Sequence, residues 1–113
     1  MDHPTATIYV NLEEAGLLCQ TTYETSSEGA AGLLKRGAHR VLVTDGGNAA
    51  AEGTAGDIIT HTPPAVMVTR VTGAGDTFMA AHIASEAQGM DRASALTRAS
   101  NAAATYVSGE TPL

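Results

Sequence analysis

Tryptophan is absent from this chain, phenylalanine occurs once, and aromatics make up only 4% of 113 residues. A core organised around large rings is therefore excluded, and Ala, Val, Leu and Ile must build it through close contacts between small side chains. Cysteine also occurs once, at Cys19, so no internal disulfide can form; a reducing, cytoplasmic compartment is the simplest expectation. Basic residues are few: 6 Lys and Arg stand against 12 Asp and Glu, a formal net charge of −6. That balance argues against nucleic acid or an anionic membrane as the main partner. It does not argue against a nucleotide, because backbone dipoles bind phosphate locally. No apolar run approaches the length of a membrane span. Residues 1–11 lack a basic segment followed by an apolar one, so no signal peptide is expected.

What is present is a globular composition, 43% hydrophobic, with 12 glycines. The length allows one domain with a modest core. The glycines point to tight turns and to places where backbone approaches a ligand.

The order of elements is readable. Residues Ala6 to Val10 predict a strand ending at Asn11. Leu12 to Cys19 predict a short helix with Glu13 and Glu14 in its first turn, where they favour the helix dipole. Thr25 followed by Glu28 fits a capping box. The helix it opens runs to Arg36, with Ala30, Leu33 and Leu34 buried and Gly37 just past its end. Val41 to Val43 form a second strand, giving a βαβ unit whose strands should be parallel. Asp45-Gly46-Gly47-Asn48 signals a turn. Ala49 to Glu52 and Asp57 to His61 read as a hairpin. Pro63-Pro64 separates this part from an extended segment, Val66 to Val71. A helix then runs through Gln88 to a stop at Gly89. A last one spans about Asp91 to Val107, with Leu96, Ala99, Ala103 and Tyr106 at helical spacing.

The sharpest chemical signal is Thr72-Gly73-Ala74-Gly75-Asp76. A glycine-rich turn opening a helix leaves several backbone N–H groups without partners, and these carry the positive end of the dipole. Such a turn binds an anion. A carboxylate in the same turn would repel phosphate, so Asp76 makes sense if it takes a proton from a hydroxyl that attacks phosphorus. An ordinary helix start with an acidic first-turn residue is an equally good account of this segment alone. Dinucleotide binding fits poorly, since the third glycine of that fingerprint would fall at Phe78.

Residues Val71 to Phe78 resemble the C-terminal signature of the ribokinase-like (PfkB) carbohydrate and nucleoside kinases. Three further segments are similar to motifs of the same family, in the same order. Asn11-Leu12-Glu13-Glu14 resembles its N-x-x-E motif, Thr44-Asp45-Gly46 its nucleotide motif at a strand end, and Ser100 to Ala104 its adenine-side helix. The resemblance implies an α/β fold, a partial ribokinase-like fold with a largely parallel sheet flanked by helices. It implies transfer of the ATP γ-phosphoryl group to a hydroxyl of a sugar or nucleoside. Asp76 would be the base, with Gly73, Ala74 and Gly75 forming the anion hole. Asn11 and Glu14 would organise Mg²⁺ through its bound water, Thr44 and Gly46 would contact ATP, and Asn101 would lie near the adenine.

The resemblance covers the C-terminal, nucleotide-binding part of such a kinase, over residues 1–113; the N-terminal substrate and lid half has no counterpart here. A non-catalytic nucleotide-binding or association module is therefore the alternative, and self-association or pairing with the missing half is expected. Arg70 stands where the family usually carries an acidic residue linked to a monovalent-cation site, so K⁺ activation does not follow. Some pseudouridine-kinase-like members also vary there, which tilts the acceptor toward a nucleoside. The histidines His3, His39, His61 and His82 lack ligand-like spacing, and His82 reads as structural. Cys19 reads as a small core residue.

Overall fold

The computed structural model describes residues 7–66 and 72–109. The chain order is β1 (Thr7–Asn11), α1 (Leu12–Cys19), α2 (Ser26–Lys35), β2 (Arg40–Thr44), β3 (Ala50–Thr54), β4 (Asp57–His61), α3 (Ala74–Ala87) and α4 (Arg92–Val107). Each expected helix is present. The expected extended segment at Val66 to Val71 falls almost wholly outside the described residues, as do Arg70 and His3.

The four strands form one sheet in the order β1-β2-β3-β4. β1 runs parallel to β2, with Tyr9 opposite Leu42 and Asn11 opposite Thr44, as the βαβ reading requires. β3 and β4 add on as an antiparallel meander, so the sheet is mixed, with β1–β2 as its parallel pair. Turn chemistry explains the meander. Asn48 donates its backbone N–H to the Asp45 carbonyl at 2.9 Å, and Gly46 takes φ 56°, a left-handed value suited to glycine.

Strand alternation divides the core into two. Val41, Val43 and Ala51 pack with Ala15, Cys19, Ala30 and Leu33 beneath α1 and α2. On the other face Leu42 and Ala50 pack with Phe78, Leu96 and Ala99 beneath α3 and α4. Tyr9 joins the second cluster, and its neighbours Ile8 and Val10 join the first. The result is a three-layer α/β/α arrangement. Cys19 is 5% exposed and belongs to the first core, as its sequence context suggested.

Three helices begin on side-chain caps. Asn11 and Thr25 each make a reciprocal capping box, with Glu14 and Glu28, and Asp91 accepts from the Ser94 N–H at 2.8 Å. α3 begins differently, on Gly73, with no side-chain cap.

At the start of β2 lies a buried charge cluster. Glu52 is fully buried yet charged-residue partners surround it: Arg40 pairs with both Glu52 and Glu86, and Arg92 reaches Glu52 Oε1 and Asp57 Oδ2 at 2.6 Å each. Burial of a carboxylate is tolerable only with such pairing.

Candidate active site

The parallel pair of strands delivers Asn11 and Thr44, partners in register, to the same end of the sheet. The chain leaves β1 directly into α1 and leaves β2 into the Asp45–Asn48 turn. The start of α3 comes over this end from the other face. A cleft results, with two compartments that share Asn11, Thr44, Gly75 and Phe78. The smaller, about 280 Å³, is walled by Tyr9, Glu14, Gly73, Asp76 and Met79 as well. The larger, about 480 Å³, lies between the Asp45–Asn48 turn, Pro63, Pro64 and the C-terminal half of α4.

The turn that opens α3 has the local properties expected of an anion site. Gly73 has φ 95°, a left-handed conformation that side chains disfavour, and a Cβ there would sit 2.6 Å from the Tyr106 hydroxyl oxygen. Tyr106 donates that hydroxyl to the Thr72 carbonyl at 2.6 Å, which fastens the turn to α4. Gly73 C=O accepts from the Thr77 N–H and the Thr77 hydroxyl, both at 2.9 Å. At Gly75 a Cβ would meet nothing within 4 Å, so that position faces open space in the cleft. With no side-chain cap, the first-turn amides are left for a ligand. Asp76 is exposed in that turn.

Asn11 and Glu14 are held by each other. The Asn11 Oδ1 accepts from the Glu14 N–H at 2.7 Å, and Glu14 Oε1 accepts from the Asn11 N–H at 2.8 Å. Each keeps one polar atom outside this box, an amide NH₂ and a carboxylate oxygen. With Thr44 and Asp76, Glu14 gives the small compartment a set of hard oxygens, beside which the Asn11 NH₂ can donate to a phosphate oxygen; so few oxygens fit Mg²⁺ held through its own water better than a closed cage of ligands.

Of the residues singled out in the sequence, Asn11, Glu14, Thr44, Gly46, Gly73, Ala74, Gly75 and Asp76 all line this cleft. Asn101 does not. It is exposed and borders a separate shallow depression on the outer side of α4, with Met90 and Arg98. The α4 residues at the cleft are Ser100, Ala103, Ala104 and Val107. One residue along a helix is a rotation of about 100°, enough to carry Asn101 out of the site. Tyr9 and Phe78 also escaped the sequence reading. Tyr9 had a signal, since it lies two residues before Asn11 and so shares its side of the strand.

His82 is structural, as its spacing suggested, but it is not isolated. It is fully buried on α3 and bonds the Tyr9 hydroxyl through Nδ1 at 2.8 Å. Burial pushes its pKa down, with Arg40 acting in the same sense and Glu86 and Glu52 opposing, so the ring is neutral at pH 7. Its Nε2 lies 4.0 Å from Glu52 Oε2 and makes no hydrogen bond. Tyr9 itself is pushed up by burial and by Glu86, which keeps the phenol protonated.

Residues 4–111 match the family described as pfkB family carbohydrate kinase. No curated protein matches the chain. Among solved structures, the chain is similar to a ribokinase II from E. coli in complex with ATP and Mg²⁺, at 30% identity and a TM-score of 0.75, covering 93% of this chain and 34% of that one. It is similar to the Arabidopsis thaliana ribokinase complexed with ribose and ATP, at 32% identity and a TM-score of 0.80, covering 92% of this chain and 35% of that one. An adenosine kinase from Sinorhizobium meliloti shares the fold, with a TM-score of 0.78 at 20% identity over 89% of this chain and 30% of that one. The chain thus spans about a third of the length of these kinases.

Proposed function

The chain belongs to the pfkB family of carbohydrate kinases, and from that premise we propose that it is the nucleotide-binding part of an ATP-dependent phosphotransferase acting on a hydroxyl of a sugar or nucleoside. One observation carries the reading. Among the described helices, the one start that lacks a side-chain cap opens, with Asp76 in its first turn, onto the cleft that also holds Thr44, Gly46, Asn11 and Glu14.

The chemistry follows from that placement. Thr44, Gly46 and the small side chains Ala103 and Ala104 border the larger compartment, which takes the nucleotide. Its terminal phosphate meets the amides at Gly75 and Asp76, whose dipoles stabilise charge on the transferred group. Asp76 accepts the proton of the acceptor hydroxyl as oxygen attacks phosphorus, and ADP leaves. Mg²⁺ bound with the nucleotide would offset phosphate charge, and Asn11 and Glu14 would hold it through water. Positioning and electrostatics supply the rate, with no covalent intermediate on the chain.

A second reading has its own support. β1 is a sheet edge among the described strands, and Leu17, Leu18 and Ile83 are 73%, 50% and 52% exposed. An open edge and exposed apolar side chains suit a nucleotide-binding or association module that pairs with another surface.

Calorimetry with Mg-ATP, followed by ADP release over a panel of sugars and nucleosides, separates the two. The kinase reading expects binding and turnover, with Asp76→Asn abolishing turnover while ATP affinity holds or improves. Binding without turnover on any acceptor leaves the module. A large loss of ATP affinity in Asp76→Asn would remove Asp76 from the role of base.

A further inference from the structure

We propose that His82 is a positioning residue for the cleft: by accepting a hydrogen bond from Tyr9 it seats α3 on β1 and so places the first turn of α3, with Asp76, over the strand ends. The inference rests on the nucleotide reading only for what the turn binds; the seating itself is a matter of structure.

The buried stripe of α3 is Phe78, His82 and Ser85. Apolar contact along such a stripe is non-directional and sets the seating of a helix less sharply than a hydrogen bond does. Among the described residues, two hydrogen-bonded ties fix α3 against the sheet: His82 to Tyr9 on β1, and Glu86 to Arg40 on β2. By the helical rise the first lies roughly 9 Å along the axis from Asp76 and the second roughly 15 Å. His82 is therefore the nearer of the two ties to the sheet, while the Tyr106–Thr72 bond holds the turn to α4. The His82 ring is also parallel to Phe78, 3° apart with centroids at 6.3 Å, and edge-on to Tyr9 at 5.5 Å. Tyr9 and Phe78 both wall the compartment that contains Asp76.

The proposal takes Nδ1 as the acceptor of this bond. Glu52 Oε2 faces Nε2 at 4.0 Å, which favours the proton there and a lone pair on Nδ1. Glu86 Oε1 lies 3.8 Å from Nδ1 and is more exposed. With Nδ1 as acceptor, the Tyr9 hydroxyl has a partner for its proton. Stability does not explain a histidine at this place. Its Nε2 is buried without a hydrogen bond, and Ser85 beside it on the stripe also leaves its hydroxyl unpartnered. A leucine would fill the space without that desolvation cost. What a leucine lacks is the directional link to Tyr9.

The test compares Tyr9→Phe, His82→Leu, His82→Gln and the Tyr9→Phe/His82→Leu pair. Thermal midpoint, amide resonances of Gly73 to Thr77, and Mg-ATP affinity are read for each. Tyr9→Phe and His82→Leu should each shift the first-turn resonances and weaken Mg-ATP by about tenfold. His82→Leu should do so without losing thermal stability. The pair should be no worse than either single change, and His82→Gln, whose carbonyl can accept from Tyr9, should recover most of the affinity. Unchanged first-turn resonances in a folded His82→Leu or Tyr9→Phe overturn the proposal. Should His82→Leu fail to fold, the isosteric Tyr9→Phe decides alone. Wild-type protein that binds no Mg-ATP overturns the nucleotide reading instead, and the resonances still decide the seating.

Discussion

Asn11 and Glu14 cap the same helix turn reciprocally, each accepting the other's backbone N–H. The pair proposed to organise Mg²⁺ is thus also the pair that starts α1, and the two roles can be separated by chemistry. Glutamine serves at the third helical position of a capping box as glutamate does, but carries no charge. Glu14→Gln should therefore melt within a degree or two of wild type, since the cap survives. It should nevertheless raise the Mg²⁺ concentration needed for ATP binding. Glu14→Ala should lose about 1 kcal/mol of stability as well. Calorimetry across a Mg²⁺ series measures the first effect and urea unfolding the second. Equal Mg²⁺ dependence in wild type and Glu14→Gln would remove Glu14 from the metal role.

The two glycines of the α3 turn should fail in opposite ways. Gly73→Ala meets both a left-handed φ and the Tyr106 hydroxyl, so it should destabilise the fold by about 1–3 kcal/mol. Gly75→Val adds bulk only to open space. It should fold at least as well as wild type, since valine exceeds glycine in helix propensity by a few tenths of a kcal/mol, and lose Mg-ATP affinity. Denaturant curves and calorimetry on both variants check the pair. Retained affinity in Gly75→Val would mean that phosphate does not approach this backbone.

Glu52 holds two arginines from inside the fold. Removing it leaves Arg40 and Arg92 with a buried carboxylate partner gone, and Glu52→Ala should cost about 3–5 kcal/mol. Replacing Arg40, Glu52 and Arg92 together by apolar residues of similar volume should cost far less, because the fully buried carboxylate goes with its partners and the acids left behind, Glu86 and Asp57, reach solvent. Guanidinium unfolding of both proteins measures the contrast. A loss below about 1 kcal/mol in Glu52→Ala would show the cluster to be screened by water.

Stability should fall with acid in two steps. Burial lowers the pKa of His82 below its ordinary 6.5, so the unfolded chain binds a proton that the folded chain refuses. Its contribution is complete above about pH 6.5 and declines as pH drops toward the folded value. The hydrogen bond from Arg40 lowers Glu86 below 4.5, so a second decline follows under about pH 4.5 as that carboxylate takes a proton. Urea midpoints from about pH 7.5 down to about pH 2.5 test this, with His82→Gln as reference. The upper step should shrink in the variant; a step of equal size would assign it elsewhere.

Local signals made most of the fold legible. α1 was bounded by its own residues, the Thr25–Glu28 box marked the start of α2, and the glycines at 37, 46 and 89 sit at left-handed turns as expected. Of the candidate site, local signals marked only the turn at Thr72 to Asp76; Asn11, Glu14, Thr44 and Gly46 came through the family resemblance, and they line the same cleft. What was hidden depended on distant residues. Nothing local indicates that Glu52 is buried, since its partners are 12 and 40 positions away. His82 looked solitary until the fold brought Tyr9 across 73 positions. Asn101, which entered through the family resemblance and not through any local signal, lies on the outer side of α4, because neighbouring positions on a helix point about 100° apart.

The topology also orders events in time. β2, β3 and β4 follow one another through short turns, and α3 and α4 form a helical hairpin, so each group can assemble from near neighbours in sequence. The large compartment lies between those two groups. We expect it to be the seam that closes last during folding, with substitutions at Ala103 or Ala104 speeding unfolding and leaving the folding rate almost untouched. Bound nucleotide would then act chiefly as a brake on unfolding, and stopped-flow traces with and without Mg-ATP would record it.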